Sequence, residues 1–236
     1  MTWVQCRLGE IVTLKRGYDL PQDSRRDGDI AVVSSSGVTG FHTERKTEGP
    51  AVVTGRYGTL GEVFYLESPC WPLNTTLYVQ DFKGNYPKFI YYFLKSFLKG
   101  IQSDKAAVPG LNRNDLHARS ARVTRNSVSQ MRIASILSAY DDLIENNRRR
   151  IKLLEESARL LYQEWFINFR FPGHEKTMFS NGLPEGWKRL TISDVADTVG
   201  GGTPSTNVHQ YWEDGNVVWF VPKDLTNNRS IVLLDS

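Results

Sequence analysis

Cysteine is scarce in this sequence: Cys6 and Cys70 are the only two, far apart. They offer neither a disulfide framework nor a metal or redox pair, and they fit a reducing, cytoplasmic setting. Histidine is thin as well, and His42, His117, His174 and His209 stand singly, so each reads as a packing or surface residue rather than a ligand. No run approaches the ~18 consecutive apolar residues of a membrane span. Met1 to Gly9 lacks the apolar core of a signal peptide. The glycines of Gly55 to Gly61 are not followed by Lys-Ser or Lys-Thr, and Gly200 to Gly202 run into Thr203-Pro204. Both clusters are therefore turn chemistry, not a phosphate cradle or a dinucleotide fingerprint.

What the chain does have is a long heptad seam. Ile133, Leu137, Tyr140, Ile144, Asn147, Ile151, Leu154, Ala158, Leu161 and Trp165 recur at alternating spacings of four and three. That pattern predicts a continuous helix from Ser127 to Phe169, with Ser127 and Gln130 forming a capping box and Pro172-Gly173 ending the run. Roughly 40 residues at ~1.5 Å each give a rod of about 60 Å, long enough to act as a spacer. Asn147 stands where the seam expects an apolar residue, a choice that fixes register at some cost in stability. Arg148, Arg149 and Arg150 follow as a basic collar, either a solvated face or a contact for DNA or a partner. No other stretch carries such a run, so the helix that pairs with the seam is expected from another molecule.

Around the rod the chain divides into an expected mixed α+β domain (residues 1–126), the rod (127–172), a polar linker (173–186) and a partial second domain (187–236). Short β-rich runs occur at Ile30 to Val33, Ala51 to Thr54, Glu62 to Leu66 and Thr75 to Val79. Pro87 to Gly100 reads as a helix, and Val108 to Leu116 as turn-like. Residues 1–126 hold 17 Lys and Arg against 12 Asp and Glu, whereas residues 171–236 hold 5 against 8. The basic excess before the rod permits nucleic-acid binding without demanding it. Displacing the start of the chain by 184 residues pairs Trp3 with Trp187, Leu8 with Ile192, Glu10 with Asp194, Ile11 with Val195 and Gly17 with Gly201. The repeat restarts where the second domain starts, as a duplication should.

Three stretches carry a resemblance to a known family. They are Leu160-Leu161-Tyr162-Gln163-Glu164-Trp165-Phe166-Ile167-Asn168-Phe169-Arg170-Phe171-Pro172 at the rod's exit, Leu183-Pro184-Glu185-Gly186-Trp187-Lys188, and Gly201-Gly202-Thr203-Pro204-Ser205 with Tyr211-Trp212 and Lys223-Asp224-Leu225. In that order they resemble the DNA-specificity subunit of Type I restriction-modification systems, in which two target-recognition domains are separated by long helices. The first domain is similar more loosely, through Gly55 to Gly61 and Trp71-Pro72-Leu73-Asn74-Thr75-Thr76. The resemblance implies a non-catalytic chain that reads half of a bipartite target in double-stranded DNA. It also implies methyltransferase subunits and a restriction or translocase subunit as partners, which would carry S-adenosylmethionine, ATP and Mg2+. The second recognition domain and second helix of a full-length member are missing, so the chain reads as a half-subunit that self-associates through the seam, or as a truncated form.

Base-edge reading favours Arg, Asn, Gln, Ser and Thr on loops. The candidates are Ser34, Ser35, Ser36, Arg56, Tyr57, Asn74, Thr75, Thr76, Asn112, Arg113 and Asn114, each of which could also be a plain turn residue. Two other readings stand beside this one. Asp23 with Glu44 and Lys46 loosely mimics a metal-dependent nuclease, and the rod alone would suit a structural coiled-coil adaptor.

Overall fold

The computed structural model describes residues 2–56, 61–99, 110–213 and 219–227. The chain forms two compact units, residues 1–145 and 146–236, whose border falls within one long helix. The fold class is α+β, with a sheet-rich domain followed by that helix.

In the first unit β1 (Trp3–Arg7) leads through a 3-10 turn at Leu8–Glu10 into β2 (Thr13–Arg16). The chain thus opens as strand, turn and strand. The hairpin β3 (Ile30–Ser34) and β4 (Gly37–His42) follows, then β5 (Ala51–Gly55), β6 (Val63–Leu66), β7 (Cys70–Pro72) and β8 (Thr76–Asp81). Strands β2, β8, β5 and β6 form an antiparallel sheet in that order, and β4, β3 and β7 a second one in which β3 and β7 run parallel. Every residue of β5 is buried. Period-two alternation explains this: Val52 faces a core with Leu14, Leu77 and Val79, while Ala51 and Val53 face a second core with Val33, Cys70 and Tyr78.

Helix α1 (Pro87–Leu98) covers the first of these cores with Phe89, Ile90, Leu94 and Leu98, and Pro87 presets its first turn. The turn-like segment before residue 116 contains a helix, α2 (Arg113–Ala118), because the Asn112 carboxamide oxygen accepts from the Asn114 amide and caps it. Strand β9 (Ser120–Thr124) then returns to pair antiparallel with β1, Trp3 opposite Thr124.

Helix α3 (Ser127–Tyr162) begins where the heptad pattern predicts, but Ser127 does not cap it and Gln130 does not reach back. Asn126 is the cap, accepting from the Ser129 amide at 2.8 Å. Gln130 is instead buried: its Nε2 donates to Asn85 Oδ1 (2.7 Å) and the Thr124 carbonyl (2.8 Å), and its Oε1 accepts from the Tyr86 amide (2.8 Å). Ala134 is buried beside it and Ile133 is partly buried in the same core, so the first turns of α3 belong to the packing of the first domain. Tyr92 Oη donates to Asp141 Oδ2 at 2.8 Å, tying α1 to α3 two turns further on. Burial, then the bond to this carboxylate, raises the phenol's pKa.

In the second unit α3 passes into a wider π turn at Gln163–Ile167. Trp187 packs on Phe166 (centroids 5.9 Å) and Phe169 (5.5 Å), and Phe179 closes on Phe169 (6.1 Å). The expected linker holds a 3-10 turn at His174–Lys176 and a hairpin of β10 (Phe179–Ser180) and β11 (Leu183–Pro184). Asn181 and Gly182 at its tip both have positive φ, the backbone that an Asn-Gly hairpin turn requires. Short helices α4 (Ile192–Val195) and α5 (Pro222–Asn227) follow. No helix among the described residues is long and apolar enough to cross a membrane.

Candidate functional site

Backbone pairing brings four separate segments to one edge of the first domain. Because β7 runs parallel to β3, with Val33 opposite Pro72, both strands end together, and the Leu73 amide donates to the Val33 carbonyl at 2.8 Å. That sets the Ser34 to Ser36 turn beside Asn74. Strand β5 ends at the same edge, where Gly55 pairs with Thr76 and the Arg56 amide donates to the Thr75 carbonyl at 2.8 Å. The Arg56 carbonyl accepts in turn from Leu111 at 2.9 Å, which brings in the start of α2. Of the expected reading residues, Ser34 to Ser36, Arg56, Asn74, Thr75 and Asn112 to Asn114 are thus gathered around one edge, across a sequence separation of 80. Tyr57 lies outside the described residues.

Their exposure differs. Asn112, Arg113, Asn114 and Ser36 are exposed, while Ser34, Ser35, Arg56, Asn74 and Thr75 are half-buried. Thr76 is a correction: it is fully buried, and its hydroxyl donates to the Leu73 carbonyl at 2.7 Å, so it holds the turn from within. The Thr75 hydroxyl is buried with no hydrogen-bond partner among the described residues. Ser34 and Ser36 bond each other through their hydroxyls at 2.9 Å.

A fifth segment lies against this edge that residue type alone did not single out. The Gly17 amide donates to the Thr76 carbonyl (3.1 Å), the Tyr18 amide to the Pro72 carbonyl (2.8 Å), and Arg16 Nε to the Asn74 carbonyl (3.4 Å). Asn74 Nδ2 donates to Asp19 Oδ1. Only glycine fits at position 17, where a Cβ would stand 2.2 Å from the Leu73 carbonyl oxygen. The one sequence signal was Lys15-Arg16 immediately before a glycine break.

Tyr18 is the electrostatic centre of that segment. Its hydroxyl lies 3.0 Å from that of Tyr78, Lys15 Nζ is 5.5 Å from its ring centroid and Lys46 Nζ 5.8 Å. The hydrogen bond from Tyr78, helped by the two lysines against the opposing effect of burial, lowers the Tyr18 pKa, while burial raises that of Tyr78. Lys46 also sits 4.4 Å above the Trp71 ring. Burial pushes the Cys70 thiol up to about 12, which leaves it protonated and unreactive at neutral pH. The nuclease reading finds no support here: the Lys46 ammonium faces aromatic rings, Asp23 and Glu44 are exposed, and the described residues contain no metal-holding cluster of His, Cys, Asp or Glu.

The seam of α3 is a second candidate surface. Leu137, Tyr140, Ile144, Ile151, Leu154 and Leu161 are between 38% and 68% exposed, Asn147 and Ala158 are exposed, and Trp165 is half-buried. Ile136 and Leu143 widen the apolar stripe on one side, and Leu153 and Leu160, also exposed, lie further round the helix on that same side. The seam that the heptad pattern marks is thus largely open along the helix. Only Ile133, at its start, is taken up by the chain's own domain core.

A family model described as the Type I restriction modification DNA specificity domain matches residues 1–156. The specificity subunit of the Type I restriction enzyme MjaIX from Methanocaldococcus jannaschii is 29% identical over 170 residues, covering 65% of this chain and 38% of that protein. The crystal structure of a Type I restriction-modification S subunit from M. genitalium aligns with a TM-score of 0.57 at 18% identity, over 74% of this chain and 48% of that one. A chain from a structural study of assembly and conformational transition in the type I R-M system aligns at 0.55 and 14% identity, over 69% and 44%. The chain thus spans less than half the length of each of these relatives.

Proposed function

Because the chain belongs to the Type I restriction modification DNA specificity family, we propose that it is a non-catalytic DNA-recognition chain whose first domain reads one half of a bipartite target in double-stranded DNA. The observation that carries this reading is the convergence of the Ser34 to Ser36 turn, Arg56, Asn74-Thr75 and Asn112 to Asn114 on one edge. Such an edge offers hydroxyl, carboxamide and guanidinium groups, the donors and acceptors that distinguish base pairs in the major groove. Residues 1–126 are then the recognition domain, 127–172 the spacer that sets the distance between half-sites, and residues from 187 the opening of a second recognition domain. Methyltransferase subunits, and a restriction or translocase subunit where present, would carry S-adenosylmethionine, ATP and Mg2+. Such a complex would work in the cytoplasm.

The exposed face of α3 supports pairing with a second such helix, from another copy or from a complementary half. Burying rows of Leu and Ile side chains at roughly 25 cal/mol per Å2 would hold that pair together.

The test is selection of bound duplexes from a random pool by the chain together with its modification subunit. A palindromic bipartite motif is expected if two copies face each other across paired helices. A folded, helical complex that enriches no motif would overturn the reading.

A further inference from the structure

We propose that Lys15, Tyr18 and Lys46 form a phosphodiester-binding site that anchors the DNA backbone beside the reading edge; this rests on the DNA-recognition reading above. Both ammonium groups stand over the same Tyr18 ring, at 5.5 and 5.8 Å from its centroid. They are therefore within roughly a Debye length of each other, about 10 Å at 0.1 M salt, where like charges repel. Neither is paired with a carboxylate among the described residues. The π faces of Tyr18 and Trp71 offset part of that repulsion. An anion bridging the lysines would remove the rest.

The third donor comes from the phenol pair. Tyr78 is buried, and its hydroxyl meets that of Tyr18 at 3.0 Å. When the enclosed Tyr78 donates, the half-exposed Tyr18 O–H is left to donate outward, on the ring that both lysines approach. The position is rigid, because the Tyr18 amide is bonded to Pro72 and Gly17 is wedged against Leu73. It also neighbours the edge, since Arg16 of the same segment bonds the Asn74 carbonyl. Phosphate contacts of this kind set register without reading sequence, which suits a cluster made of Lys and Tyr rather than Asn and Arg.

The experiment measures affinity for the selected duplex across a salt series, using the chain with its modification subunit. Each phosphate neutralised contributes about 0.9 to the slope of log K against log salt. K15Q/K46Q should lower that slope by about 0.9, the contribution of one phosphate, while leaving the preferred sequence unchanged, and K15R/K46R should restore it. A wild-type slope in K15Q/K46Q, with melting temperature unchanged, would overturn the site and leave the recognition reading standing. A wild-type complex that shows no sequence preference would instead overturn the recognition reading, before any variant is compared.

Discussion

Replacing Gln130 with alanine removes the side chain that joins the start of α3 to the loop before α1 and to the end of β9. Three hydrogen bonds of 2.7–2.8 Å are lost at a residue only 1% exposed. Each is worth about 1 kcal/mol net, and a buried partner left unsatisfied costs about 1–3 kcal/mol. Water entering the vacated space can satisfy some of the Tyr86 amide, Asn85 Oδ1 and Thr124 carbonyl, so about 3–5 kcal/mol is expected in all. Gln130→Glu is the sharper probe, because it keeps the shape and the acceptor for Tyr86 but turns two donations into contacts between oxygens. The folded state then favours the protonated carboxyl, raising its pKa above the unfolded value. The sign follows from linkage: stability is retained at low pH and lost as pH rises through the folded-state pKa. Urea unfolding followed by circular dichroism, near neutral pH and again in mild acid, measures both variants. A cost below about 1 kcal/mol for the alanine variant, or a pH-insensitive glutamate variant, would refute this account of the joint.

Gly17→Ala should destabilise the first domain by about 2–3 kcal/mol in the same assay, because its Cβ would meet the Leu73 carbonyl at 2.2 Å and part the segment from the edge. Ile151→Asp with Leu154→Asp should weaken self-association in sedimentation experiments while changing monomer stability by no more than about 0.5 kcal/mol per site, since both side chains are more than half exposed. His117 Nε2 accepts from the Leu14 amide at 2.9 Å, and burial, then the charges of Arg113 and Lys83, holds its pKa below the usual 6.5. Stability should therefore fall as pH drops through the unfolded-state value of about 6.5 and level off beneath the folded-state value. His117→Gln should flatten that dependence in thermal melts, and an unchanged pH profile would exclude His117 as its source.

Strands β3, β5, β6 and β8 and helix α1 were legible because apolar runs bounded by Gly and Pro carry their own punctuation. Helix α3 was legible because a period sustained over many turns has one explanation. What failed was whatever depended on partners distant in sequence. Gln130 looks like half of a capping box, yet Asn85 and Thr124 use it as a buried bolt. Pro109, Gly110, Asn112 and Asn114 read as turn, although Asn112 caps a helix one residue later. The Asn181-Gly182 hairpin was signalled locally and passed over. At the edge, the types of the reading residues were legible and their meeting place was not, because it is set by the parallel register of β3 and β7. Lys15 and Lys46 meet over Tyr18 for the same reason: nothing in a stretch of sequence says which strands will be neighbours.

The repeat displaced by 184 residues separates what a local sequence specifies from what a domain must add. At the start of the chain Glu10 Oε1 accepts from the Arg7 amide at 2.8 Å, and the Val12 amide donates to the Leu8 carbonyl at 3.0 Å. At the displaced positions Asp194 Oδ2 accepts from the Thr191 amide at 2.7 Å, and the Ala196 amide donates to the Ile192 carbonyl at 2.9 Å. The capped turn is thus built twice, from hydrogen bonds that need only its own residues. Burial is not built twice. Leu8 and Ile11 are fully buried in the first core, whereas Ile192 is 72% and Val195 66% exposed. The same apolar spacing stabilises the first domain and contributes almost nothing at the second position, because the hydrophobic effect rewards only area removed from water. Ile192→Ser should therefore be nearly neutral to the stability of this chain, within about 0.5 kcal/mol. Leu8→Ala should cost about 2–5 kcal/mol. Equal costs in urea unfolding would mean that residues 187–201 are packed in solution, and would overturn this distinction.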